Sequence, residues 1–295
     1  MCLKYSTKML NFISFGSGSS GNCYLLYTEK DALLIDLGIG TRALRKYFRE
    51  YGLPLARVKH ILVTHDHADH VKSVGKISHD LELPVIATVD VHKGIDRNYC
   101  VRSKVPASLV KYIEKDVPVQ LGDFLVTAFK VPHDSSDNVG YRIEYQGIVF
   151  CIMTDVGYLT DEMRPMISEA NYLVLEANYD VEMLKAGPYP EYLKTRIMSE
   201  GGHLSNNECG KALAENVSPN LRHVWLCHLS EENNHPELAR KTVEQILRSY
   251  GIVAGKDFQL DVLKRKTPTG IFRLLGDEPQ EQSLFSDKEM GADKD

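Results

Sequence analysis

Residues 60–70 read HILVTHDHADH, and this segment limits the folds open to the chain more than any other. A short β-rich run, 60–64, delivers the chain to a loop that holds His65, His67, Asp69 and His70. His65 and His67 alternate, so both can face one point, while Asp69 and His70 are free to face a neighbouring one. Imidazole and carboxylate together suit zinc, manganese or iron. Three further segments share the same grammar, a hydrophobic strand ending in a potential ligand. FLVTAFKVPH ends at His133, IVFCIMTD at Asp155 and HVWLCH at His228. Strand ends are where α/β folds gather catalytic groups. Any one of these residues has a plain reading as a cap or a satisfied histidine. The ordered set H-x-H-x-D-H, His, Asp, His predicts a metal site. Partners are expected to fix the imidazole tautomers, with Asp36, Thr64 and Thr154 as candidates.

A second motif points elsewhere and fails. Residues 15–22 read FGSGSSGN, a literal G-x-G-x-x-G. A dinucleotide fingerprint needs a strand before the glycines and a helix after them. The following CYLLYTEKDALLIDLG instead reads as two strands around the turn TEKD. No lysine follows Gly21, so the phosphate loop of nucleotide hydrolases fails as well. The loop is expected to be either a tight turn needing positive φ or a close approach to a substrate.

Strand-like runs fall at 11–15, 23–27, 32–36, 60–64, 84–88, 124–131, 141–145, 148–154, 171–176, 223–227 and 269–274. Helix-like runs fall at 42–51, 70–82, 160–169, 189–200, 206–216 and 236–250. No proline- or serine-rich linker divides them, so residues 1–275 are read as one domain, with 276–295 a polar, acidic, disordered tail. The start shows no secretory pattern, and either Met1 or Met9 can begin the chain. The six cysteines form no C-x-x-C pair, which points to a reduced, cytoplasmic setting. No apolar run is long enough for a membrane span. A net charge of −5 argues against a broadly basic nucleic-acid binder but leaves room for a local basic cleft.

With these residues in hand, the chain resembles the metallo-β-lactamase superfamily over residues 15–275. The resemblance implies an α/β (α+β) fold, a four-layer αβ/βα sandwich with two divalent metal ions at one edge. It implies that His65, His67 and His133 hold the first ion and Asp69, His70 and His228 the second, with Asp155 bridging. The segments GSGSSGN, THDHADH, DVGYLTD, LEANYD, GHLSN and CHLSEENNHPELA, in this order, resemble the YycJ/WalJ group of that superfamily. That group implies a 5′→3′ DNA exonuclease connected with DNA repair. GHLSN and HVWLCHLS are also similar to the tRNA 3′-processing enzymes of the superfamily. Those carry a His-Glu-Ala triplet with a proton-donating histidine where this chain has Leu175-Glu176-Ala177. Relatives with redox di-iron chemistry typically have a carboxylate where His67 stands.

The resulting expectation is a metal-dependent hydrolase, a phosphodiesterase or exonuclease using a metal-activated hydroxide. Asp69 is a candidate to ligate, orient the nucleophile or accept its proton. His203 is a candidate proton donor or phosphate contact, and the helix start beside it, capped by Ser205, could receive a phosphate. Since the resemblance puts the Gly/Ser loop near the metal edge, Ser19, Ser20 and Asn22 are candidate phosphate donors. Lys194 and Arg196, in a stretch with Lys185, Tyr189 and Tyr192, are candidate substrate contacts, as are Lys264, Arg265 and Lys266. Glu176, Asn178 and Asp180 alternate and are expected to support the site from behind. The competing readings are a hydrolase of small thioesters, lactones or lactams, an RNA-processing nuclease, and a metal-stabilised interaction protein. In the tail, Ser283-Leu284-Phe285 matches the last three positions of the sliding-clamp motif Q-L-[SD]-L-F. A weak clamp contact through Leu284 and Phe285 is therefore an expectation beside the plainer reading of a disordered end.

Overall fold

The computed structural model describes residues 9–274. Met1, the tail from 276 and the clamp-like residues Leu284 and Phe285 lie outside the described residues. Strands β1 (Leu10–Gly16), β2 (Cys23–Tyr27), β3 (Ala32–Ile35), β4 (Val58–Leu62), β5 (Val85–Ala87) and β6 (Val110–Tyr112) form one sheet. The second sheet holds β7 (Val119–Leu121), β8 (Phe124–Lys130), β9 (Val139–Tyr145), β10 (Ile148–Met153), β11 (Tyr172–Glu176), β12 (His223–Cys227) and β13 (Gln259–Val262). The chain then returns as β14 (Phe272–Leu274) to pair antiparallel with β1. Among the described residues each sheet has seven strands, in the orders β14-β1-β2-β3-β4-β5-β6 and β13-β12-β11-β10-β9-β8-β7.

Helices α1 (Thr41–Glu50), α2 (Ala68–Val71), α3 (Val74–Leu81) and α4 (Val89–Arg97) follow strands of the first sheet. Helices α5 (Arg164–Ser168), α6 (Val181–Ala186), α7 (Glu191–Ile197), α8 (Asn206–Asn216) and α9 (Pro236–Ser249) follow strands of the second.

Four layers follow from the two-residue period of the strands. Phe12, Tyr24, Leu33, Phe150, Ile152, Trp225 and Cys227 meet in one core between the sheets. Their alternates on the first sheet, such as Ile13, Leu25 and Leu34, pack outward against Leu44, Ile77 and Val91 of the helices. On the second sheet Cys151, Met153, Val224 and Leu226 pack outward against Leu213, Val243 and Leu247. This is the αβ/βα sandwich expected from the sequence. Among the described residues no helix is long and apolar enough to cross a membrane, and the described cysteines are free.

The differences from the sequence reading are local. The expected helix 70–82 is broken between α2 and α3. The His70 carbonyl accepts from the Leu37 amide at 2.7 Å, and the Ser73 amide donates to Leu37 at 3.0 Å. These bonds replace helix continuation and stitch the metal loop to the segment after β3. Strand β4 ends at Leu62 rather than residue 64. Strands β6, β7 and β13 and helices α4 and α6 carry short or half-exposed patterns that the sequence reading passed over.

Candidate metal centre

The parallel strands β3, β4, β10, β11 and β12 deliver side chains to one edge of the sandwich. Three residues just past strand ends, Asp36, Asp155 and His228, sit at φ 58°, 56° and 53°. Positive φ is uncommon outside glycine and collects at functional sites. Here it turns each side chain back toward the edge, where continued strand geometry would carry it away.

The sequence-predicted residues converge there. Ligand atoms of His65, His67 and His133 lie within 4.8 Å of one another, as do those of Asp69, His70 and His228 and those of His65, His70 and Asp155. Asp155 faces both groups. Its Oδ2 is 3.2 Å from His70 Nε2, and its Oδ1 is 3.4 Å from His228 Nδ1 and 3.7 Å from His133 Nε2.

The neighbours of the imidazoles decide whether the set suits a metal. Thr64 Oγ1 donates to Asp36 Oδ2 at 2.9 Å, so it accepts from His65 Nδ1 at 3.0 Å. His70 Nδ1 donates to Asp36 Oδ2 at 2.8 Å, His133 Nδ1 to the Gly202 carbonyl at 2.9 Å and His228 Nδ1 to Glu176 Oε1 at 2.9 Å. Each of these four rings is held by Nδ1 and leaves Nε2 as the atom toward the edge, the usual arrangement behind a metal-bound histidine; His70 Nε2 also meets Asn22 Nδ2 at 2.8 Å, and His67 differs in turning Nδ1 toward His133 Nε2 at 3.3 Å. His65 Nε2 is buried with no hydrogen-bond partner. A buried polar atom left alone costs about 1–3 kcal/mol, and a cation at this point would satisfy it. The donor set therefore fits divalent metal ions.

Charge organises the same residues. Burial pushes His65 well below the ordinary imidazole range, reinforced by His70, and burial also lowers His133. Burial acts against charge on His228 too, but Asp155, Asp69 and Glu176 outweigh it and push it up to about 10. Asp155 is likewise opposed by burial, yet His228, His70 and His65 hold its carboxyl well below the usual range. Without metal, protons shared between these groups partly neutralise the centre.

Glu176, at the end of β11, is fully buried and fully bonded. Its Oε1 takes His228 Nδ1 and His203 Nδ1, both at 2.9 Å, and its Oε2 takes the amides of Val156 at 2.7 Å and Leu204 at 3.0 Å. One carboxylate thus orients two histidines. The His203 ring centroid is 5.0 Å from that of His133 and 5.4 Å from that of His228. Asn178 Nδ2 donates to the His228 carbonyl at 2.7 Å, while Asp180 caps α6 instead. Asp36 and Thr64 fix imidazoles as expected, whereas Thr154 Oγ1 donates to Asp155 Oδ2 at 2.7 Å and so orients a carboxylate rather than an imidazole.

Several substrate candidates are placed differently from expectation. Asn22 is fully buried; its Oδ1 accepts from the Gly18 amide at 2.8 Å and its Nδ2 faces His70 Nε2 at 2.8 Å. It pins the Gly/Ser loop to the metal loop and presents nothing to solvent. Lys194 is 7% exposed, with Nζ bonded to the Lys185 carbonyl at 2.7 Å and to Glu191 at 3.1 Å. Its ammonium is used in holding α6 to α7. The start of α8 is closed by a capping box in which Glu208 accepts from the Ser205 amide at 2.9 Å, so an acid already occupies the place considered for a phosphate. Ser19 and Ser20 are exposed. Arg196 reaches the rim, where its guanidinium grips Asp134, and Asp134 Oδ1 is 3.5 Å from His133 Nε2. Asp134 escaped the sequence reading although it directly follows His133. Arg265 and Lys264 back the Gly/Ser loop, their carbonyls accepting from the Ser17 amide at 3.2 and 3.1 Å.

Close approach of backbone to backbone explains glycine at Gly21 and Gly38. A Cβ on Gly38 would stand 1.5 Å from the Asp69 carbonyl oxygen, and one on Gly21 would stand 2.6 Å from the Gly38 carbonyl oxygen. The Gly/Ser loop, the turn after β3 and the metal loop are stacked backbone on backbone.

Comparison with known proteins agrees with this geometry. A family model described as the Beta-lactamase superfamily domain matches residues 32–228. The chain is 35% identical over 263 residues to the exodeoxyribonuclease YycJ of Bacillus anthracis, covering 89% of this chain and 98% of that one. It is 32% identical over 244 residues to the exodeoxyribonuclease WalJ of Streptococcus pneumoniae, covering 83% and 90%. Among solved structures, the metallo-β-lactamase fold protein YhfI of Bacillus subtilis superposes with a TM-score of 0.66 at 18% identity, covering 90% of this chain and 99% of that one. The matched span runs from β3 to His228 and so encloses the histidines and carboxylates of the edge; the chain belongs to the metallo-β-lactamase superfamily, in its YycJ/WalJ-like group of metal-dependent hydrolases.

Proposed function

We propose that this chain is a nuclease, a 5′→3′ exonuclease on DNA, working with two divalent ions. The carrying observation is the set of imidazoles locked by Nδ1, with Nε2 aimed at a shared edge that Asp155 faces from the middle. In this reading His65, His67 and His133 hold one ion and Asp69, His70 and His228 the other, with Asp155 between them. Zinc, manganese and iron all accept such donors. When bound, the ions act as Lewis acids on the phosphodiester and lower the pKa of water.

The chain's own residues divide the remaining work. Asp69 is only partly buried, with its Oδ2 3.5 Å from His228 Nε2. It is placed to accept the proton of the attacking water. The leaving 3′-oxygen needs a proton, and His203 is the donor, since Glu176 fixes its Nδ1 and supports its charged form. Burial opposes that charge, but Glu176 outweighs it and raises the His203 pKa. Ser19, Ser20 and Arg196 are the phosphate contacts at the rim; Arg196 is half exposed and moves to a phosphate by releasing Asp134. The edge is open at His67 and Asp134, whose side chains are 31% and 34% exposed. A continuous strand can cross it, whereas a small thioester or lactam would favour an enclosed apolar pocket. Leu284 and Phe285 remain a proposed weak clamp contact, which titration of the 278–290 peptide against a purified clamp tests.

The deciding experiment is incubation of metal-defined protein with 5′- and 3′-labelled single- and double-stranded DNA, the matching RNA and a thioester panel. The reading predicts stepwise loss from DNA 5′ ends, abolished by chelation, and at least about a hundredfold slower with Asp69→Asn. Intact DNA beside rapid thioester turnover would replace this reading with small-molecule hydrolysis, and preferential RNA cleavage with RNA processing.

A further inference from the structure

Beyond the metal residues, one surface combines aromatic exposure, positive charge and a rigid connection to the metal loop. Lys72 stands two residues after His70, is exposed, and its Nζ donates to the Ser20 carbonyl at 2.9 Å. Its charge therefore sits beside the exposed serines of the Gly/Ser loop. From Lys72 a shallow cleft extends along Lys76, Tyr99, Cys100, Arg102 and Ser103. Tyr99 is 91% exposed, more than any other large hydrophobic side chain among the described residues. Arg102 is exposed as well. Lys76 is paired with Asp80, so Lys72 and Arg102 carry the charge of the cleft.

The Tyr99 loop is held firmly from below. Asn98 Nδ2 donates to the Asp66 carbonyl at 2.7 Å, and Asp66 lies between His65 and His67. Lys104 Nζ bonds the carbonyls of Asn98 at 2.9 Å and Ile95 at 3.2 Å. A Cβ on Gly94 would stand 2.1 Å from Asp66 Oδ2, and one on Gly75 would stand 1.8 Å from the Ser103 carbonyl oxygen. Two helices thus press this loop against the metal loop at contacts only glycine allows. The tyrosine ring is left in water on a rigid mount, where it contributes nothing to the core.

Resting on the nuclease reading, the geometry points to this cleft as the seat of a single-stranded nucleic-acid segment next to the scissile phosphate. One base stacks on Tyr99, and flanking phosphates lie on Lys72 and Arg102. A flat ring on the ligand alternating with negative charge is the chemistry that an exposed tyrosine between cations recognises. A base inside a duplex has no free face to offer, so the segment is unpaired. The local cations also offset a chain whose net charge is −5.

Full-length, metal-loaded protein is tested on a single strand of about twelve nucleotides and on a dinucleotide, at several salt concentrations. Tyr99→Ala is expected to raise KM for the long strand about tenfold with kcat little changed, and Tyr99→Phe to restore it. Lys72→Ala/Arg102→Ala is expected to flatten the salt dependence of binding by about one to two. The wild-type preference for the long strand over the dinucleotide should collapse in both variants. Arg248→Ala/Tyr250→Ala, an exposed pair at the far end of α9, serves as the control. Wild-type cleavage with KM unaltered by Tyr99→Ala overturns the cleft and leaves the nuclease reading standing. Equal losses on both substrates also overturn it, by showing support of the metal loop instead. Failure of wild-type protein to cleave either substrate removes both readings.

Discussion

Glu176 concentrates the design of the site in one side chain. Buried carboxylates are costly unless fully bonded, and this one takes two imidazoles and two amides. Glu176→Gln keeps the shape but replaces one acceptor oxygen with a donor. Metal content or turnover is expected to fall about 10–100-fold, as read by metal analysis beside steady-state kinetics. His203→Ala separates the two roles of that carboxylate, and turnover should fall more than metal content. Equal loss of both would assign His203 to structure. The convergence of the candidate ligands was legible in the sequence because their spacing is local, as in H-x-H-x-D-H, or because each ends an apolar strand. What was hidden depends on tertiary approach. Nothing near His133 in the chain announces that its Nδ1 is held by the Gly202 carbonyl, or that Lys194 is consumed by the Lys185 carbonyl. Asp134 was hidden differently, since an acid beside a histidine in a loop has too many plain uses to stand out.

Elements matter here by how closely their ends can stack. The turn after β3, the Gly/Ser loop and the metal loop touch through backbone, and the break between α2 and α3 exists because the His70 carbonyl is taken by Leu37. Hydrophobic period marks a helix through 70–82, and no local signal cancels it, because the competing hydrogen bonds come from residues more than thirty positions away. Strands β6 and β7 were illegible for the opposite reason, since three half-exposed residues carry almost no pattern. The strands of the central core, with Phe12, Phe150 and Trp225 facing inward, were legible by alternation. Gly38→Ala tests the stacking directly. Its Cβ would overlap the Asp69 carbonyl oxygen at 1.5 Å, so the metal loop must shift. A loss of about 3 kcal/mol is expected in chemical denaturation, with metal content reduced beside it. A midpoint equal to wild type would show that the loops do not depend on this contact.

For the whole molecule, the metal centre lies where strand ends of both sheets meet, so occupancy and stability are linked. An ion bound only by the folded chain stabilises it by about 4 kcal/mol at a thousandfold excess over Kd. For a chain of this size that corresponds to a rise of about 7 °C in melting temperature, measurable by scanning calorimetry before and after chelation. An unchanged transition would place the ions, if any, on a surface uncoupled from folding.

The nuclease proposal rests on two ions held at one edge by the imidazoles and Asp155. The most direct measurement is anomalous diffraction from crystals of manganese-loaded protein, paired with metal analysis in solution. The predicted result is two anomalous peaks per chain, one among His65, His67 and His133, the other among Asp69, His70 and His228, with Asp155 contacting both. A single peak, or peaks away from these residues, would contradict it.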